Sequence, residues 1–562
     1  MDHQPSDEID LNDVESQNQM SKDKVSHFQI VRSHSLVTPA VLHHHYQGSG
    51  TEEDPYLAEF IPNDPRNPML FPLWKKWTIT MMVSFAALGV GFVSSAYTGS
   101  VAQIIAEFQC STEVATLGLS VFVLGFAIGP LLWAPMSELY GRQLLFVSTY
   151  AILAAFNAGA AASQNIYTLI ILRFFARAFG SSPLTNAGGV IADMFTANQR
   201  GLGMAVFASA PFLGPVIGPI VGGFVGETVG WRWVEGIMAM FTGAIWLAGS
   251  LYIPETYHPV FLQKRAAALS KQTGKKYISI LERQRGKTTP AQAFAKSLAR
   301  PWILLFVEPI VILISIYMAI LYGSLYMLFG AFPVVFQEYR GWSQGIGGLA
   351  FMGVAVGMTA GVTYTIFDNK RYANVEKAHN GEAPAEARLP PAMVGAVAIP
   401  LGMFWFAWTN YPSIHWIVCI IATVPFGFGV TLVFLSGMNY LIDSYTIYAA
   451  SVLAANSVLR SLFGAAFPLF TTQMYRSLGI HWASSIPASL ALACLPSPFL
   501  FYKYGEAIRM KCKYAAQAHE TMVQMRHAAK ETRQDDGSSR DEPIEPKERA
   551  EAEAVQEGFD RP

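Results

Sequence analysis

Pro309-Ile310-Val311-Ile312-Leu313-Ile314-Ser315-Ile316-Tyr317-Met318-Ala319-Ile320-Leu321-Tyr322-Gly323-Ser324-Leu325-Tyr326-Met327-Leu328-Phe329 runs for 21 residues without a charged side chain. As a helix, such a run is long enough to cross a hydrocarbon core ~30 Å thick. It is one of twelve. Apolar stretches lie at about 77–102, 113–135, 144–163, 166–188, 201–225, 233–253, 303–329, 343–368, 391–410, 413–440, 446–474 and 482–503. None alternates as a half-buried strand does, so the pattern predicts helices. Unpaired backbone amides are costly in lipid, which leaves helices or a closed barrel as the spanning structures. Charged residues make up only 14% of the chain and hydrophobic ones 52%, against roughly 25% charged in an average soluble protein. The fold class expected is an all-α integral membrane protein of twelve transmembrane helices.

Around these spans the chain is polar. Residues 1–74 read as a disordered tail in which His43, His44 and His45 make a weak case for metal. Residues 75–253 and 302–503 each hold six spans, separated by a basic linker, 254–301, and followed by a charged tail, 504–562. A short helix is expected over 504–529. The linker carries ten Lys/Arg: Lys264, Arg265, Lys271, Lys275, Lys276, Arg283, Arg285, Lys287, Lys296 and Arg300. Arg142, Arg200, Lys370, Arg371, Lys377 and Arg388 fall in loops on the same side, while the other side has few cations. Cationic loops stay cytosolic, so both termini and the linker are expected there. Net charge is −1, and nothing favours a nucleic-acid partner. Cys110, Cys419, Cys494 and Cys512 have no metal-ligand spacing and read as free thiols. There is no Walker loop, no metal box and no Ser/His/Asp arrangement, so an enzyme is not expected and neither cofactor nor metal is assigned.

Five segments carry candidate mechanism. Between spans two and three, Ala134 to Gln143 includes Glu138, Gly141 and Arg142. This suits a tight turn in which Glu138 pairs with Arg142 or receives a helix N-terminus. Span five repeats Gly214, Gly218, Gly222 and Gly226 every four residues, with Pro211, Pro215 and Pro219 at the same interval and Gly223 beside them. The glycines allow a helix to approach closely, and the prolines should bend it. Span four carries Arg173 and Arg177 one turn apart. Span eleven carries Asn456 and Arg460, the latter near mid-membrane, where an ionisable group costs at least ~2.5 kcal/mol and needs a partner or a wet cavity. Glu308 precedes Pro309 near the start of span seven. Connector, helix-packing and snorkelling roles account for several of these residues taken singly. His415 and His481 read as satisfied interfacial residues.

Together these segments resemble the major facilitator superfamily, and within it the fungal twelve-span drug:proton antiporter branch. The likeness covers about 64–509. It rests on Asp64-Pro65-Arg66-Asn67-Pro68, Glu138-Leu139-Tyr140-Gly141-Arg142, Arg173-Phe174-Phe175 through Gly188-Gly189, and Gly214-Pro215-Val216-Ile217-Gly218-Pro219 to Gly222-Gly223. Pro254-Glu255-Thr256-Tyr257, Arg388-Leu389-Pro390-Pro391 and Leu453 to Gly464 add to it. The resemblance implies two pseudo-symmetric six-helix bundles around a central cavity, rocking between inward- and outward-open states. It implies proton-driven export from the plasma membrane, with Arg173 in proton coupling and Glu138 and Arg142 in gating. Departures are Ala134 for the usual Gly, Glu138 for the usual Asp, Arg177 for a small residue, and Gly330 where polyamine-type relatives have Glu.

The expected function is a proton-coupled exporter of a small amphipathic organic compound, working as a monomer in the bilayer with protons and substrate as partners. The candidate coupling and cavity residues are Arg173, Arg177, Glu308, Arg460 and Asn456. With three Arg and one clear acid inside, a neutral or weakly anionic cargo fits better than spermidine. Met327, Phe329, Phe332 and Phe336 offer an apolar lining. Import of a nutrient or organic acid, polyamine export, and a non-transporting sensor are the alternatives.

Overall fold

The computed structural model describes residues 25–285, 290–379, 383–411 and 413–523. Among the described residues, ten segments are long and apolar enough to cross a membrane. Helix Ile166–Met194, which carries two arginines, and the division of Ala449–Cys494 at Gly479 bring the long helices to twelve among the described residues. They are α1 (Leu73–Ala96), α2 (Thr112–Tyr140), α3 (Arg142–Ala161), α4 (Ile166–Met194), α5 (Ala197–Val229), α6 (Trp231–Tyr252), α7 (Pro309–Phe332), α8 (Met352–Ala378), α9 (Pro390–Trp408), α10 (Trp416–Ser444), α11 (449–478) and α12 (480–511). Each overlaps its expected span. α7 starts later than expected because Pro309 has no amide proton to continue the preceding helix, Pro290–Val307.

Three helix pairs are joined by one glycine. Gly141, Gly230 and Gly479 have φ of 98°, 97° and 75°. An L side chain rarely adopts that backbone, so each glycine ends one helix and starts the next in a single residue. Ser111 and Asn165 cap α2 and α4 in the usual way, by accepting from the amides of Val114 and Thr168.

α1 packs on α5, α4 and α6, and α2 and α3 on α4, forming one bundle. α7 packs on α11, α10 on α9 and α8, and α9 on α12, where Trp408 meets His481 and Trp482, forming a second. The bundles meet where α2 lies against α11 and α5 against α8. Large apolar side chains such as Ile171, Leu247, Leu313, Leu401 and Phe470 are exposed on the outside. That surface suits lipid and would be a liability in water.

The expectation of disorder across 1–74 fails from residue 25 onward. Helices His27–Arg32 and Pro39–His43 precede strand β1 (Tyr56–Ala58), which pairs in parallel with β2 (Tyr277–Ser279) of the linker. Val41, Tyr46, Ala58 and Ile61 bury against Ala266, Leu269 and Tyr277. Asp64 grips Arg265, both almost fully buried. These few apolar residues gain a core only because the linker supplies its other half, which local composition does not reveal. His43 bonds the carbonyl of Pro39 at 2.8 Å, and His44 lies edge-on to Tyr46. Residues 1–24 and 524–562 lie outside the described residues, as do part of the expected 504–529 helix and Lys287. Helix continues as far as Val523.

Candidate functional site

Arg173 leaves α4 into the middle of the first bundle and is wholly buried. Its Nη1 donates to Glu235 Oε1 at 2.5 Å, and its Nε to the carbonyl of Gly118 at 3.1 Å. The guanidinium lies over Tyr97 at 4.0 Å and Phe122 at 5.0 Å. Glu235, one turn into α6 and 1% exposed, is the acid the sequence reading missed. A lone carboxylate near the start of a span looks like an interfacial residue. The signal that identifies it is Arg173, which inside lipid needs a counter-charge or a wet cavity. The expected balance of three arginines to one acid is therefore corrected: a second interior acid is present, and it is spent on Arg173.

Arg177, 3% exposed, has no such partner. Its Nη1 donates to the carbonyl of Val90 at 2.8 Å, and its guanidinium lies over Phe126 at 4.8 Å. Arg460, half-buried on α11, lies over the same ring at 5.2 Å and over Tyr322 at 5.0 Å. Beside them a chain of hydroxyls crosses the seam: Tyr322 donates to Tyr326 at 3.3 Å, and Tyr326 shares a hydrogen with Ser94 at 2.7 Å. The seam between α1, α2, α4, α7, α10 and α11 thus holds two cations among aromatic rings and hydroxyls.

Two other candidates fall elsewhere. Asn456 is buried inside the second bundle, where its amide reaches Ser315 and Met318 of α7 at 3.3 Å. It ties α11 to α7 and does not join the arginines. Glu308 is fully buried at the foot of α7, accepting from the Tyr445 hydroxyl at 2.9 Å and the Tyr514 amide at 2.8 Å. It fastens the C-terminal segment and does not meet Arg173. Met327, Phe329, Phe332 and Phe336 also fall outside the seam's charged centre. They are buried in the second bundle, where Phe332 packs on Phe336, Phe351 and Phe406. Gly330 sits against Thr471, so its position is filled by α11. His481 bonds the Ala407 carbonyl at 2.7 Å, and His415 caps α10.

On the linker side, the pairing expected of Glu138 belongs to other acids. Glu138 is exposed and without a partner among the described residues. Arg142 instead pairs with Asp193 at the end of α4, at 2.6 Å. The carboxylate at the N-terminus of α3 is Glu255, which accepts from the amides of Arg142 at 3.0 Å and Gln143 at 3.2 Å. A Cβ on Gly141 would come within 2.7 Å of that carboxyl carbon, so the glycine serves both the turn and the approach of Glu255. The second bundle repeats the arrangement. Arg388, before α9, pairs with Asp443 at the end of α10 at 2.8 Å, and Glu386 pairs with Arg509 at 3.2 Å.

Just outside the membrane, burial and then Lys264 hold the His34 imidazole below its ordinary value, against the pull of Glu255. Burial and then Arg142 do the same to His258.

α5 runs without interruption through Pro211, Pro215 and Pro219. Gly214, Gly218 and Gly222 face α1, and Gly226 faces the turn that follows it, where a Cβ would sit 2.9 Å from the Gly99 carbonyl. Gly223 faces the other bundle, 2.7 Å from the Gln344 carbonyl by the same measure, and Glu227 accepts from the Gly345 amide at 2.7 Å. These contacts shut the side of the molecule opposite the linker.

Residues 83–468 match the sequence model of the Major Facilitator Superfamily. The chain is 64% identical over 505 residues to an MFS-type efflux pump of Trichophyton rubrum, covering 90% of this chain and 85% of that one. It is 60% identical over 521 residues to a major facilitator superfamily multidrug transporter of Aspergillus fumigatus, covering 93% and 86%. The fold is similar to that of the xylose transporter of E. coli in a partially occluded inward open conformation. The TM-score there is 0.55 at 16% identity, over 76% of this chain and 99% of that one.

Proposed function

Since the chain belongs to the Major Facilitator Superfamily, we propose that it is a proton-coupled exporter of small amphipathic organic compounds, working by alternating access. The names borne by its relatives support the direction of transport. The observation that carries the coupling is the buried Arg173–Glu235 pair, which takes the place expected of Glu308. Protonation of Glu235 removes the charge that holds Arg173, so the two states differ in whether this pair is made, and proton entry biases one of them. Closure opposite the linker suits a molecule open toward the linker. The basic linker supports a cytosolic placement for it and for both tails, in the plasma membrane.

Inside-out vesicles test the reading, with radiolabelled cycloheximide as a neutral amphipathic probe. An acid lumen should load the probe, and Glu235→Gln should abolish the pH-driven part while leaving protein yield intact. Loading by the opposite gradient would make the protein an importer. Normal coupling in the variant would remove Glu235 as the carrier.

A further inference from the structure

We infer that Arg177 and Arg460, facing each other across the seam between the bundles, bind the carboxylate of an amphipathic organic acid whose apolar body lies on Phe126, Tyr322 and Phe434. This rests on the export reading and names the charge of the cargo. The two guanidinium groups lie against one phenyl ring, at 4.8 and 5.2 Å from its centroid, so their carbons are at most about 10 Å apart. Neither meets a carboxylate among the described residues, whereas Arg173, one turn from Arg177 on the same helix, has Glu235. The Nε of each is buried without a protein partner. Two like charges held close in an apolar setting repel; Arg177 has given up its water and Arg460 part of its own, and ring faces return only part of that hydration. An anion between them relieves both costs; among the described residues the Val90 carbonyl, 2.8 Å from Arg177 Nη1, meets only part of one.

The form of the anion follows from the donors. Two of the three hydrogens of the Tyr322, Tyr326 and Ser94 hydroxyls are spent within their own chain, so guanidinium N–H groups supply most of the donors left to a ligand. Planar forks match the two oxygens of a carboxylate. A phosphate dianion, with three strongly hydrated oxygens, would leave acceptors facing phenyl rings. The aromatic lining, with Phe434 5.7 Å from Arg460 and itself packed on Phe212, suits a flat apolar body. Arg460 is half-buried, so the site is reachable from the seam, while Arg177 forms its floor.

Equilibrium dialysis of the purified full-length protein at pH 7, with no gradient, tests this using radiolabelled 2-naphthoate and its neutral isostere 2-naphthamide. The wild type should bind the acid at least tenfold more tightly than the amide. Arg177→Gln and Arg460→Gln should each weaken the acid at least tenfold and leave the amide unchanged. Arg460→Lys, which keeps the charge and loses the fork, should fall between, and it serves as the readout if the Gln variants do not fold. Equal affinity for acid and amide in the wild type overturns the inference. So does full acid affinity in the Arg variants, which would make these side chains cation–π packing only. Acid preference without any pH-driven flux of cycloheximide would sink the export reading alone; flux without acid preference would sink this inference alone.

Discussion

Arg173 and Arg177 differ by one helical turn and stand in opposite electrostatic situations. One is closed off by Glu235, and the other is left open at the seam between the bundles. Spacing alone made them look like equals. The same lesson applies to the turn between α2 and α3. Glu138 is the acid that sequence proximity nominates, but helix direction carries it to the surface. Glu255, far along the chain, fills the N-terminus of α3. Hydrogen bonds to a buried charged group contribute about 1.5–3 kcal/mol. Glu255→Gln should therefore lower stability in detergent by about 2 kcal/mol and slow transport several-fold. Glu138→Gln should leave both unchanged. Thermal unfolding and vesicle flux of the two variants, side by side, decide between the carboxylates. The reverse ranking would restore the assignment from sequence.

Among the elements, α5 was the most legible. Its glycines at every fourth position mark a face that must touch another backbone, and that face meets α1. What the repeat did not show is that Gly223, one step around the helix, reaches the second bundle instead. The segment from residue 25 to α1 was the least legible, because its hydrophobic residues are sparse and their partners lie some two hundred residues away. Its hold on the linker should depend on pH. His34 and His258 are kept neutral below their ordinary value by burial first, with Lys264 and Arg142 the leading neighbouring charges. A lowered histidine pKa means that the undocked segment takes up protons which the docked one refuses. Docking is thus strongest above about pH 6.5, the reference for a free histidine, and weakens as pH falls below it. Limited proteolysis of the 25–72 segment should run faster at pH 5.5 than at pH 7.5. Replacing His34 by Phe should reduce the difference, and an unaltered ratio would place the titration elsewhere.

At the scale of the whole molecule, the twin pairs Arg142–Asp193 and Arg388–Asp443 show one design used twice, on the same side of both bundles. The opposite side closes where α5 meets the start of the eighth span, with Gly348 against Pro219 and Ile220. In a background lacking Cys110, Cys419, Cys494 and Cys512, cysteines placed at 220 and 348 should cross-link and stop vesicle transport, and a reductant should restore it. Flux through the cross-linked protein would mean that this contact does not open during the cycle. By itself the sequence determined that the chain crosses a membrane twelve times, because apolar length and charge depletion are local quantities that a single helix expresses alone. It also marked where helices must touch. Only the tertiary structure decided which charges are satisfied. Counter-charges come from other helices, so Glu235, Asp193, Glu255 and Asp443 acquire their meaning through packing, and Arg177 and Arg460 through being left out of it.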